Sequence, residues 1–210
     1  MPTPANYALT AHPWHGVSPG EACPERLLCY IEIVPTDAVK YELDKATGLL
    51  KLDRPQLFSN VCPSPYGFVP QTLCAELVAR RCEERTGRKN LQGDGDPLDI
   101  CVLTEKPITH GGILLEAIPI GGLRMIDKGE VDDKVIAVLK GDAVYGSLRD
   151  LADLAAAQRD RLQHYFLTYK QLPGSGARLV EIAEVYGRDE AHHVIRACRA
   201  DYLAHYPAAP

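Results

Sequence analysis

The hydrophobic and polar positions of the chain predict short strands over most of its length. Apolar, partly β-branched runs bounded by turn residues are typical of strands. Such runs occupy residues 27–34, 39–43, 49–52, 100–103, 113–118, 135–139 and 179–185. Residues 45–48, Lys-Ala-Thr-Gly, have the composition of a hairpin turn between the second and third runs. The pattern therefore predicts a mainly β protein.

Helical spacing appears twice in the C-terminal third. Residues 148–170 place apolar side chains on roughly one helical face, and Pro173-Gly174 is expected to end this helix. Residues 189–206 form a second amphipathic pattern. Many short strands followed by two helices predict a closed or nearly closed β-barrel with both helices packed against it.

Two segments depart from this pattern. Residues 1–25 contain five of the 16 prolines and are expected to form an N-terminal arm. We expect Trp14 to anchor the arm on its own core or on a neighbouring subunit, with a metal or ligand site at His12 and His15 as the alternative. Residues 74–92 begin with helix formers and turn basic and polar, which predicts an inserted surface loop; a regulatory or subunit-contact role is the alternative.

Composition narrows the class of protein. A chain of 210 residues with 46% apolar content is expected to form one domain, residues 1–210. A net charge of −5 argues against a general binder of nucleic acid or of anionic membranes. No run is apolar enough to span a bilayer, and no signal peptide is recognised at the N-terminus. Seven cysteines without a Cys-x-x-Cys pair favour reduced thiols, so we expect a cytoplasmic protein.

The candidate chemistry centres on residues 93–105, where Asp94, Asp96 and Asp99 fall within six positions. Carboxylate oxygens are the ligands that hard cations such as Mg²⁺ or Ca²⁺ require. Asp-Gly-Asp is also common in surface turns. The segment resembles an EF-hand loop at Asp94, Asp96 and Glu105, but Leu98 replaces a ligand and Asp99 stands where that loop requires glycine. A third carboxylate directly before a buried strand would cost several kcal/mol if it had no cationic partner.

The same short segment also carries a family resemblance. Asp94-Gly95-Asp96-Pro97-Leu98-Asp99 resembles the signature of family I soluble inorganic pyrophosphatases. Further matches follow the family order over about residues 27–187: a Lys-x-Glu pair, an Asp-Arg pair, a tyrosine before glycine, a second acidic loop and a Tyr-Lys pair. The resemblance implies an OB-like, five-stranded closed barrel with the active site in a cleft at its mouth. It also implies Mg²⁺-dependent hydrolysis of diphosphate to two phosphates.

The resemblance assigns roles to individual residues. It implies that Asp96 is the general base and that the metal ligands are Asp94, Asp99, Asp127 and Asp132. It implies substrate-binding roles for the residues with cationic or hydroxyl side chains, Lys40, Arg54, Tyr66, Lys134, Tyr169 and Lys170. Glu32 and Glu42 are expected to act through water in the outer shell.

The implied cofactor is Mg²⁺, several ions per site, with Mn²⁺ as an alternative, and the implied assembly is a homo-oligomer, a hexamer as in bacterial members. Two positions depart from the family pattern: Cys62, where many relatives carry tyrosine, and Lys128, where an acidic residue is common and which we expect to point outward.

Three other functions are consistent with parts of this pattern. A metal-dependent phosphatase acting on organic phosphates is the alternative enzyme. An OB-like module for single-stranded nucleic acid would need a basic groove, which the negative net charge disfavours. A calcium-binding structural barrel would need the acidic clusters but not the lysines and the arginine.

Overall fold

Five strands pair in a closed ring, the arrangement that the strand pattern and the resemblance predict. The computed structural model describes residues 11–172, 174, 176 and 180–207. The ring strands are β1 (Leu27–Ile33), β4 (Tyr66–Phe68), β6 (Asp99–Leu103), β9 (Lys134–Leu139) and β7 (Ile113–Asp127). They pair in that order, and β7 closes the ring by pairing with β1. All neighbours are antiparallel except β6 and β9, which are parallel.

The remaining strands extend the ring at its edges or stand beside it. β10 (Val180–Gly187) pairs with β7. The short strand β8 (Glu130–Val131) also pairs with β7, and β5 (Gln92–Gly93) pairs with β8. β2 (Val39–Leu43) and β3 (Leu50–Pro55) form a separate hairpin. The part of the predicted arm that covers residues 1–10, and the predicted positions Pro173 and Leu179, lie outside the described residues.

Three α-helices are described, one more than the sequence pattern predicts: α1 (Glu76–Thr86), α2 (Ala156–Thr168) and α3 (Arg188–His205). The prediction that residues 74–92 form a surface loop is wrong for the stretch that α1 occupies. Val78, Ala79 and Cys82 are buried in the main core together with residues of α3. Burial of this apolar face stabilises a helix that its charged sequence alone would leave marginal.

The helix predicted over residues 148–170 begins later than expected. Asp150 caps a short 3-10 turn at Leu151–Asp153, where its side chain accepts a hydrogen bond from Ala152 N, and α2 starts only at Ala156. Strand β7 is longer than the predicted run at 113–118, since it continues through Pro119 and two glycines. A Cβ on Gly122 would lie 2.5 Å from the Tyr186 ring, so only glycine allows this close packing.

Trp14 anchors the arm on the chain's own core. It is 2% exposed, and its indole Nε1 donates to the Thr72 carbonyl at 2.8 Å. The His15 ring contacts it at 4.4 Å between centroids, and His15 Nδ1 forms a 2.8 Å hydrogen bond with the Tyr202 hydroxyl.

None of the helices in the described ranges has the length and the apolar character that a membrane-spanning segment requires.

Candidate active site

One cleft of about 240 Å³ collects every residue that the sequence assigns to the site. It lies where β6 and β9 begin, between the β2–β3 hairpin and the end of α2. The predicted residues that line it are Glu32, Lys40, Glu42, Arg54, Tyr66, Asp94, Asp96, Asp99, Asp127, Asp132, Lys134, Tyr169 and Lys170. The sequence places these residues as far apart as positions 32 and 170, so it is the closed ring that brings them together.

The centre of the cleft is built by strand register. β6 and β9 are parallel and start side by side, which puts Asp99 directly opposite Lys134. The Lys134 ammonium donates to both Asp99 and Asp132. From β4, the Tyr66 hydroxyl donates to Asp99 Oδ2 at 2.5 Å. The lysine, 3% exposed at its side chain, is thus fixed between two carboxylates at the base of the cleft.

The ionisable groups at the base of the cleft shift one another's pKa values. Burial, followed by the charge of Asp132, raises the pKa of Asp94 to about 8. Burial also raises the pKa of Asp99, although the neighbouring ammonium acts against the shift. Burial alone would lower the pKa of Lys134, but Asp132 and Asp99 raise it well above its usual value. Three carboxyl groups thus share one ammonium, and the site disfavours the charged forms of Asp94 and Asp99 unless a further cation is present.

Cationic side chains form the walls. Lys40 and Arg54 are opposite each other in the β2–β3 hairpin. Lys40 Nζ lies 3.0 Å from Glu42 Oε1 and 3.3 Å from Asp53 Oδ2. Burial would lower the pKa of Lys40, but Glu42 and then Asp53 raise it, so the lysine stays charged. These pairs keep the cations in place at the cleft wall.

The opposite wall comes from the end of α2. Lys170 Nζ donates to Asp127 Oδ2 at 2.5 Å. Tyr169 is 9% exposed and packs against Phe166 and Tyr165, at ring centroid distances of 5.9 and 5.4 Å. The Tyr-Lys pair that follows the helix therefore has one aromatic member fixed by packing and one cation available to the cleft.

Glu32 lies behind the hairpin wall. It is 6% exposed and accepts a hydrogen bond from Leu43 N at 2.7 Å. Burial, followed by the charge of Asp99, raises its pKa to about 8. The side chain thus connects β1 to the hairpin and responds to the charge of the cleft.

Sequence reasoning missed two residues at the site. Lys45, in the β2–β3 turn, forms an ion pair with Asp96, and its carbonyl is 3.1 Å from His12 Nε2. Glu130 lines the cleft from β8. A lysine in a polar hairpin turn carries no sequence signal of its own, because only the fold of the hairpin brings it to the acidic loop. Two residues depart from the family pattern. Lys128 is exposed, as expected, and Cys62 is buried in the core.

The donor chemistry of the cleft fits a hard divalent cation. As the side chains stand, no three His, Cys, Asp or Glu residues of the described ranges are arranged to hold a metal ion. Asp99 and Asp132 are instead both bonded to Lys134. Asp127 Oδ1 is nevertheless buried without a hydrogen-bond partner. The clustered donors are all oxygens, and three carboxyl groups, Asp94, Asp99 and Asp132, stand against the one ammonium of Lys134. Such a set suits Mg²⁺ or Mn²⁺ better than a softer metal.

The ring of strands and this cleft, with carboxylates at its base and cations along its walls, define a hydrolase that acts on phosphoryl compounds. The family model described as inorganic pyrophosphatase matches residues 29–203. The inorganic pyrophosphatase of Chlamydia caviae is 56% identical over 91% of this chain and 91% of its own length. The soluble inorganic pyrophosphatase 2 of Chlamydomonas reinhardtii is 37% identical over 93% of this chain and 91% of its own.

Solved structures agree with these relatives. The crystal structure of inorganic pyrophosphatase from Thermus thermophilus matches with a TM-score of 0.75 and 32% identity, covering 92% of this chain and 99% of that one. The chain belongs to the inorganic pyrophosphatase family. It is a hydrolase that converts pyrophosphate to phosphate.

Proposed function

We propose that the cleft hydrolyses pyrophosphate by direct attack of water, with Mg²⁺ as cofactor and Asp96 as the general base. The observation that carries this proposal is the convergence of acidic and cationic side chains in one cleft. Among the described residues that line it, none is Ser, Thr, Cys or His, so the serine, threonine and cysteine nucleophiles and the histidine bases of many hydrolases are absent from this lining. The chemistry therefore falls to the carboxylates.

The metal ligands that we propose are Asp94, Asp99 and Asp132 at the base of the cleft, with Asp127 as a further ligand on the α2 side. The family is metal-dependent. Bound Mg²⁺ would neutralise pyrophosphate charge and lower the pKa of a water that it holds. The raised pKa of Asp94 and the unpartnered Oδ1 of Asp127 support this assignment, because both groups gain from a neighbouring cation.

Asp96 is suited to accept a proton from the attacking water. Its side chain is 40% exposed and lines the cleft, whereas the side chain of Asp99 is 23% exposed. Its backbone N–H donates to Asp94 Oδ1 at 2.9 Å, which fixes the loop between the two residues. A carboxylate that is held in place and open to water can act as a general base.

Substrate binding falls to the cations and hydroxyls of the walls. Lys40 and Arg54 from the hairpin would contact one phosphoryl group, and Lys170 with Tyr169 the other. Lys134 and Tyr66, at the base of the cleft between these two walls, would contact the substrate near its bridging oxygen. Pyrophosphate is a dense polyanion, so charge-assisted hydrogen bonds from several sides position it and stabilise the charge of the transition state.

The test is phosphate release from pyrophosphate, ATP and a small phosphomonoester, each with Mg²⁺, with Mn²⁺ and with chelator. We expect fast release from pyrophosphate with Mg²⁺ and loss of that release with chelator. Release mainly from the organic phosphates would favour the alternative metal-dependent phosphatase. Release from pyrophosphate that persists in chelator would contradict the metal assignment.

We further propose a homo-oligomer, with the hexamer as the expected state, in the cytoplasm. All seven cysteines are free thiols, and six of them are buried, which supports a reducing compartment. Light scattering coupled to gel filtration would test the assembly: a hexamer has six times the chain mass of 23.0 kDa, and a monomer at micromolar concentration would contradict it.

A further inference from the structure

The segment of residues 74–92 is attached directly to the acidic loop at residues 94–96. Cys74 N donates to the Asp96 carbonyl at 2.8 Å, and Gly95 N donates to the Cys74 carbonyl at 3.0 Å. Two backbone hydrogen bonds therefore hold the loop against the residue where the segment begins. Contact is so close that a Cβ on Gly93 would lie 2.2 Å from the Cys74 oxygen.

The start of the segment is itself fixed from α3. Helix α1 follows Ala75, which makes no side-chain capping bond. The Asp201 carboxylate of α3 caps the helix instead. Its oxygens accept hydrogen bonds from Ala75 N at 3.3 Å, Leu77 N at 3.1 Å and Val78 N at 3.3 Å. Asp201 is 2% exposed, and a carboxylate at a helix N-terminus also interacts favourably with the helix dipole.

The end of the segment returns to the second acidic loop. Leu91 N donates to Glu83 Oε1 of α1 at 3.0 Å. β5 then pairs in parallel with β8, whose Glu130 and Val131 lie between Asp127 and Asp132. The segment thus contacts both loops that carry the carboxylates of the cleft.

We infer that the 74–92 segment positions the acidic loops of the cleft and that Asp201, through α1 and Cys74, is a positioning residue for Asp94 and Asp96. Asp201 is not among the residues that line the cleft. It fixes the N-terminus of α1, α1 fixes Cys74, and the two Cys74 hydrogen bonds fix the loop. This inference rests on the proposed metal site and adds to it a residue about 100 positions away in the chain.

The test compares Asp201→Ala with Asp201→Asn by direct binding of Mn²⁺, measured by electron paramagnetic resonance, and by kcat and KM. We expect Asp201→Ala to weaken Mn²⁺ binding about 10-fold, the lower end of the cost of losing a supporting residue. Asp201→Asn should retain most of the affinity, since asparagine caps helices as well as aspartate does. The kcat should fall with Asp201→Ala more than KM rises.

A matched control separates positioning from general stability. Val194→Ala removes two methyl groups from a fully buried side chain of the same helix and the same core and leaves the Asp201 carboxylate in place. Measured at a temperature where circular dichroism shows each variant folded, Val194→Ala should leave Mn²⁺ affinity unchanged. An equal loss of affinity in Val194→Ala, or none in Asp201→Ala, would overturn the inference.

Two further measurements keep the test decisive. If Asp201→Ala does not fold, Glu83→Ala at the half-buried other end of the segment should weaken Mn²⁺ binding in its place, and unchanged binding would overturn the inference. Asp94→Asn tests the proposed metal site by itself. Weaker binding in Asp94→Asn with unchanged binding in Asp201→Ala would reject only the positioning role, whereas unchanged binding in Asp94→Asn would reject the metal assignment.

Discussion

Replacing Glu32 by glutamine should stabilise the metal-free protein by about 2–3 kcal/mol more at pH 7 than at pH 5. Glu32 is 6% exposed, and its neighbours hold it in a site that disfavours the charged form. Burial, followed by the charge of Asp99, raises its pKa to about 8. Glutamine has nearly the same shape, and its amide oxygen can accept the same hydrogen bond from Leu43 N.

The size of the effect follows from proton linkage. In the unfolded chain a glutamate has a pKa of about 4.3, so above pH 5 the unfolded state has lost a proton that folded Glu32 keeps. Because the folded state binds more protons, the free energy of unfolding falls by about 1.4 kcal/mol for each pH unit in this window. From pH 5 to pH 7 the wild-type protein should lose about 2–3 kcal/mol that Glu32→Gln does not lose. For a chain of this size that difference equals about 5–10 °C in Tm.

The assay is urea unfolding in chelator at pH 5, 6 and 7, followed by the fluorescence of Trp14, the only tryptophan and a buried one. Burial lowers the pKa of His15 and of His192, so these two groups make the free energy of unfolding rise with pH. This contribution opposes that of Glu32 and is the same in both variants. The difference between the two curves therefore isolates Glu32. Curves that stay parallel from pH 5 to pH 7 would refute the reasoning, since they would mean that Glu32 is already ionised in the folded protein at pH 5.

Substitutions at three further positions test the cleft and the ring. Lys134→Met should lower kcat for pyrophosphate by about 100-fold or more, since it removes a fixed cation from the base of the cleft; a loss below tenfold in steady-state assays would contradict this role. Lys45→Ala removes the ion-pair partner of Asp96 and should lower kcat about fivefold, which is roughly 1 kcal/mol of activation free energy. Lys45→Arg keeps the positive charge and should leave kcat unchanged. Equal kinetics for the two variants would count against the ion pair. Gly67→Ala would place a Cβ 1.9 Å from the Tyr30 carbonyl oxygen and should lower the free energy of unfolding by about 3 kcal/mol. Calorimetry should show a Tm lower by about 6–12 °C, and an unchanged Tm would show that β4 can shift freely.

The sequence predicts the first acidic loop of the cleft well, because spacing within a loop or strand is a local property. Asp94, Asp96 and Asp99 follow one another at an entrance to β6, and their convergence needs only that loop. The ring of strands could also be expected from alternating short apolar runs. Residues from distant positions, such as Lys40 and Lys170, could be assigned to the same cleft only through the family resemblance.

Helix α1 could not be predicted, because the groups that stabilise it are far away in the chain. Its N-terminus has no local cap at Ala75, and the Asp201 carboxylate that replaces it comes from 126 positions further on. The extension of β7 through Gly122 was missed for a similar reason, since the glycine is required only by the ring of Tyr186. Lys45 gave no signal because its partner is defined by the tertiary fold.

The most direct test of the proposed mechanism is the turnover of Asp96→Asn on pyrophosphate at saturating Mg²⁺, together with Mn²⁺ binding to the same variant. Asparagine keeps the shape of the side chain but cannot accept a proton from water at neutral pH. We predict Mn²⁺ binding within a few-fold of wild type and a kcat lower by about 100-fold or more, the usual contribution of a general base. Turnover close to wild type, with metal binding intact, would contradict the assignment of Asp96 as the base.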